Sequence, residues 1–177
     1  MTDASPLSRP VLVASLPDDG LTLKLAPDAA TRAALAADFG IPGIPALTAV
    51  VTVKPERAGT VRVTGHVEAV VTQTCVVTLE AFDAPVSEDI EMRFAPEDQI
   101  PPIRPGSEVD VTELDLPDPL VDGTVDVGAV VAEFLALGLD PYPRKPGAAF
   151  ADAPEPGPEE TSPFAALAKL RKDDGTN

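Results

Sequence analysis

Two stretches near the middle of the chain alternate between apolar and polar positions, and they predict a pair of antiparallel strands. From Val61 to Val71 the odd positions read Val, Val, Gly, Val, Ala, Val, while Arg62, Thr64, His66 and Glu68 hold even ones. From Ala84 to Phe94 the even positions include Val86, Ile90, Met92 and Phe94; Ser87, Asp89, Glu91 and Arg93 face the other way. A period of two with one polar side marks strands that cover a core on one face. Leu47, Ala49, Val51 and Val53 repeat the pattern. The segment Thr74 to Asp83 reads as the connection, unusually apolar for an exposed loop.

Upstream, Val11–Leu16 and Leu21–Leu25 read as short strands around a tight turn at Pro17-Asp18-Asp19-Gly20. A helix follows, with Asp28 as its N-cap, Leu35 and Phe39 one turn apart, and Gly40 and Pro42 as its stop. Beyond Pro96 the chain turns acidic and irregular, with seven acids and no base from Glu108 to Asp126. Val127, Val130, Val131, Phe134 and Leu135 then recur at helical spacing behind Asp126, a second N-cap, and the helix ends near Gly138. Three prolines in LDPYPRKPG exclude regular structure there. Residues 148–162, rich in Pro and Glu, read as a flexible linker, and 163–172 as a short terminal helix. The predicted fold is α+β. An antiparallel sheet carries helices on its inner face within a single domain, residues 1–147, and a tail follows.

Composition narrows the class. The 177 residues suffice for one compact domain. Aromatic residues are only 4%, with no Trp, so Val, Leu, Ile and Ala must fill the core. One cysteine, Cys75, permits no internal disulfide and no Cys-based structural zinc site. The start has no apolar leader, and no run approaches the roughly 20 apolar residues of a membrane span. A soluble cytoplasmic protein is expected, with no membrane contact.

Net charge is −16, which disfavours nonspecific binding to nucleic acid, and no DNA binding is expected. The charge is uneven. Met1–Asp140 holds 8 basic and 23 acidic residues, whereas Pro141–Asn177 holds 5 and 6. Any contact with RNA is expected from that last stretch.

Four constellations of residues could carry chemistry. His66 and Cys75 lie on one predicted hairpin, but alternation puts His66 on the polar face. The pair therefore reads as an exposed histidine and a partly buried thiol, and no nucleophile, P-loop or zinc-protease motif accompanies it. The acids of Glu108–Asp126 fit no EF-hand spacing and read as a solvated loop, so neither a metal nor a cofactor is expected. Tyr142, Arg144 and Lys145 combine a ring with two cations between prolines, a set suited to looped RNA. Residues alone favour a rigid loop with Tyr142 packed and the cations offsetting nearby carboxylates. Phe164 and Leu167, flanked by Lys169 and Arg171, suggest a docking peptide for this domain or for a partner.

Three stretches resemble the YceD family: GHVEAVVTQTCVVTLEAFDAPVSEDIEMRFAP, DGTVDVGAVVAEFLALGLDPYPRKPGA and SPFAALAKLRK. The middle one carries most of the likeness, and its form is similar to alphaproteobacterial members. The resemblance implies a cytoplasmic, non-enzymatic factor supporting accumulation of large-subunit ribosomal RNA. It would act by binding that RNA or a large-subunit ribosomal or processing protein. Many members carry C-x-x-C between the two strands; here Cys75 matches the first position and Thr78 stands at the second. The expected contact residues are Tyr142, Arg144, Lys145, Phe164, Leu167, Lys169 and Arg171. An acidic adaptor unrelated to RNA is the alternative, and a small hydrolase using Cys75 and His66 the third choice.

Overall fold

The computed structural model describes residues 5–100 and 116–149. Its elements in chain order are β1 (Pro10–Leu12), β2 (Leu21–Leu25), α1 (Ala29–Asp38), β3 (Gly43–Pro55), β4 (Val61–Thr74), β5 (Ala81–Ala95), β6 (Asp118–Pro119), β7 (Thr124–Asp126) and α2 (Val127–Leu137). The fold is α+β. A five-stranded sheet runs in the order β2-β3-β4-β5-β6, antiparallel except for the short parallel pairing of β6 with β5. β1 and β7 form a separate two-stranded ribbon. The expected linker and terminal helix lie outside the described residues, apart from the first two linker positions.

The alternating positions build one core. Leu47, Ala49, Val51 and Val53 of β3 and Val61, Val63, Val67, Ala69 and Val71 of β4 are buried. Leu35 of α1 and Val127, Val130, Val131 and Leu135 of α2 join the same cluster. β-branched valine fits a pleated, half-buried surface, and a core without Trp needs many such small pieces. Gly65 marks a close strand approach, since a Cβ there would run into the Val50 carbonyl. The outer face is a ladder of polar cross-strand pairs, with Thr22 and Thr52 hydroxyls 2.9 Å apart and Arg62 between Glu56 and Glu91.

Both helix starts are as the sequence predicts. The Asp28 carboxylate accepts from Thr31 N–H at 2.8 Å, and Asp126 accepts from Ala129 N–H at 3.0 Å. Asp126 also receives Arg9 N–H at 2.7 Å and the Ser8 hydroxyl at 2.5 Å, pinning the N-terminal segment across α2. Gly128 makes that crossing possible, because any Cβ would run into the Leu7 carbonyl.

Three boundaries differ from the expectation. The turn at Pro17–Gly20 forms, but the strands it joins go to different sheets; β1 ends at Leu12 and pairs with β7. Strand β5 begins at Ala81, so the connection is shorter than Thr74–Asp83. The acidic stretch is not wholly irregular, for it supplies β6 and β7. For β1, β6 and β7 a pairing partner distant in sequence decided the outcome, whereas β5 starts at Ala81 because that residue pairs with Thr74 across the turn.

Candidate functional site

The hairpin of β4 and β5 closes on six residues, Cys75 to Glu80. Cys75 N–H donates to Glu80 O at 2.9 Å, and Leu79 N–H donates to Cys75 O at 2.9 Å. The turn holds Leu79 at φ +59°, a left-handed conformation that a leucine adopts only under constraint. That leucine is 78% exposed.

The loop after α2 lies across this turn. Buried Gln73 anchors it, its side-chain amide donating to Asp140 O at 3.0 Å. Val76 N–H donates to Pro143 O at 2.9 Å, and Tyr142 N–H to the Asp140 carboxylate at 2.9 Å. Lys145 Nζ sits 2.8 Å from Glu80 Oε2; the pair raises the lysine pKa and lowers that of the glutamate. Prolines 141, 143 and 146 fix φ on a loop tied to the hairpin at three points. The loop is a rigid lid on the hairpin tip.

Its side chains divide into two groups. Lys145 is engaged with a carboxylate, as the rigid-loop reading expects. Tyr142, expected by that same reading to pack, is 73% exposed. Its backbone N–H is held by the Asp140 carboxylate. Arg144 is exposed and has no hydrogen bond or ion pair among the described residues. It borders a hollow of about 330 Å³ beside Phe82, Asp83 and Val86. Val76, 42% exposed, and Leu79 add apolar surface to the same tip. A ring, an arginine and two apolar side chains are together what a binding surface needs. The sequence missed Val76 and Leu79, although the apolar character of Thr74–Asp83 was their signal. Phe164, Leu167, Lys169 and Arg171 lie outside the described residues.

Cys75 is fully buried beneath this surface. Its thiol is drawn down to about 7, first by the Thr78 hydroxyl, then, against the effect of burial, by the N–H groups of Lys145, Thr78 and Val77. Thr78 N–H donates to the sulfur at 3.5 Å, and Thr78 Oγ1 accepts from Glu80 N–H at 3.4 Å. The described residues contain no group of three or more His, Cys, Asp or Glu placed to hold a metal.

His66 is elsewhere. It lies nine residues before Cys75 along the extended β4, a separation of about 30 Å, so the two side chains form no Cys–His dyad. Its partners come instead from the register with β5. Nδ1 is 2.7 Å from Asp89 Oδ1 and Nε2 is 3.1 Å from Ser87 Oγ. Serine, imidazole and carboxylate stand in the connectivity of a triad. The Asp89 side chain is 93% exposed, however, so the set stands in water on an open sheet face.

A family model described as "Large ribosomal RNA subunit accumulation protein YceD" matches residues 63–171. The match takes in β4, the hairpin tip, β5, α2 and the loop laid across the tip. The chain belongs to the YceD family. Membership ties it to accumulation of the large-subunit ribosomal RNA. Comparison with curated proteins and with solved structures gives no match. The YceD-family match begins inside β4, so the first three strands and α1 fall outside it. Among the described residues, no helix is long and apolar enough to cross a membrane.

Proposed function

We propose that this YceD-family chain is a cytoplasmic, non-enzymatic factor that supports large-subunit RNA accumulation by binding, through the lid on its hairpin tip, a basic ribosomal or processing protein. The observation that carries the reading is the exposure of Tyr142 and Arg144 on a loop fastened to the tip by Gln73, Val76 and Glu80. A pre-ordered loop loses little entropy on binding, and Tyr and Arg are the side chains that most often dominate interfaces. Net charge of −16 supports a basic protein as partner over RNA, because it attracts the first and repels the second. The proposed action uses no cofactor, metal, membrane or DNA.

The second reading is direct RNA contact, with a base stacked on Tyr142 and a phosphate on Arg144. The Arg144 guanidinium, without a partner among the described residues, is the specific observation in its favour.

The test is a pull-down of the tagged chain from growing cells with and without nuclease, beside the Tyr142→Ala, Arg144→Glu double variant. A basic large-subunit protein retained after nuclease and lost with the variant is expected. Loss of all partners with nuclease favours the RNA reading. Deleting the gene should lower large-subunit RNA relative to small-subunit RNA. Unchanged RNA and unchanged 50S-to-30S ratio would leave an adaptor unrelated to RNA as the better account.

A further inference from the structure

At the other end of β5 from the hairpin tip, a second surface is built of different chemistry. A groove of about 490 Å³ runs between β5, β6 and the start of α2. Its floor is apolar: Val125 and Val130 are buried beneath it, and Met92 and Phe94 are half-buried along one wall. Val121 stands 70% exposed at its edge, on the tight Val121–Thr124 turn whose Asp122 and Gly123 both have positive φ. Asp118, Asp122 and Glu133 line the rim, all exposed, and their carboxylates have no hydrogen bond or ion pair among the described residues. An apolar trough under three unpaired carboxylates calls for an apolar occupant carrying positive charge.

We propose that this groove is the docking site of the chain's own C-terminal segment, residues 163–172. The segment carries Phe164, Leu167 and Leu170 for the floor and Lys169, Arg171 and Lys172 for the rim. Nowhere else in the chain do three cations fall within four residues. The other candidate occupants fail on charge. Residues 101–115 bring four carboxylates against one cation, Arg104, and a second copy brings a net charge of −16. Reach is sufficient. Ala149 follows the loop fastened to the hairpin tip, and β5 from Ala81 to Phe94 spans about 43 Å. From Ala149 to Phe164 the chain can extend about 50 Å. The linker bridges that span when nearly extended, so the contact must rest on the apolar and charge match of the segment to the groove. Docking shields the apolar floor, and a basic partner reaching the groove must displace the segment. The inference is independent of the binding partner proposed for the hairpin tip.

The experiment places a benzophenone photo-cross-linking amino acid at position Val121 of the full chain, with a control at Val50, an exposed position on the outer sheet face. Irradiation of dilute purified protein is followed by mass-spectrometric mapping. Cross-links from position 121 into residues 163–172, unchanged on dilution and missing from the position 50 control, are expected. Asp118→Lys with Glu133→Lys should lower their yield at least about fivefold at low salt. Leu167→Asp with Leu170→Asp should remove them while the circular dichroism spectrum stays that of a folded chain. Cross-links into residues 101–115, cross-links between isotopically distinguished copies, no cross-link at all, or a yield indifferent to both variants would each overturn the proposal.

Discussion

Lys145 Nζ lies 2.8 Å from Glu80 Oε2, joining the loop after α2 to the turn between β4 and β5. The neighbouring cation, Arg144, has no such partner among the described residues. The bond holds the lid to the tip, and Arg144 is left available for another molecule.

Two adjacent cations should therefore respond differently to charge reversal. Tyr142→Ala with Arg144→Glu should leave the melting temperature within about 2 °C of wild type, as for surface changes generally, while abolishing complementation of a gene deletion. Lys145→Glu sets two carboxylates together and should lower the melting temperature, with Glu80→Lys restoring it in the double variant. If Arg144→Glu destabilises and Lys145→Glu does not, the assignment is reversed.

Cys75 predicts a pH dependence. Its thiol is lowered from an ordinary 9.0 to about 7 by Thr78 and the surrounding N–H groups. A depressed pKa means that the unfolded chain binds the proton more tightly, so folding is favoured as the thiolate forms. The contribution is fully present above pH 9 and is lost as pH falls through 7. Wild type should gain melting temperature from pH 7 to 9 relative to Cys75→Ser. Parallel profiles for the two proteins would refute the thiolate-stabilising role of the turn.

Asp126 predicts the acid limb. Burial opposes its ionisation, but bonds from the Ser8 hydroxyl and the Arg9, Ala129 and Gly128 N–H groups outweigh it and hold the carboxyl below its ordinary pKa. Its contribution is complete at neutral pH and disappears below about pH 4 as the native carboxylate is protonated. Asp126→Asn should be less stable than wild type at pH 7, and the difference should shrink toward pH 2. A difference independent of pH would show that the cap works by shape alone.

The crossing over α2 is sensitive to a single methyl group. Gly128→Ala drives a Cβ into the Leu7 carbonyl and must lift the N-terminal segment from the helix. A loss of about 1–3 kcal/mol in denaturant unfolding is expected, comparable to overpacking a core. A change of less than about 0.5 kcal/mol would mean that the segment moves freely.

Much of the fold could be read from local pattern. Strand alternation identified Val51, Val63 and Val67 as inward residues because a pleated strand bound to one core repeats every two positions. Asp28 and Asp126 announced the helix starts because a cap needs only its own first turn. The candidate surface was half visible. Tyr142 and Arg144 stood out as a ring and a cation between prolines, but Val76 and Leu79 did not, since their exposure depends on what covers them.

The sequence by itself determined the sheet's faces, both helices and the family, because these rest on periodicity, caps and ordered motifs that neighbours along the chain define. Only the tertiary structure decided which strand β1 joins, that Cys75 and His66 are far apart, and that Lys145 is engaged while Arg144 is not. Those outcomes depend on pairs such as Val11 with Val125 and Glu80 with Lys145, separated by many tens of residues. Hydrogen bonds and ion pairs act over a few ångströms of space, and nothing in the local pattern reveals which distant residue will come within that range.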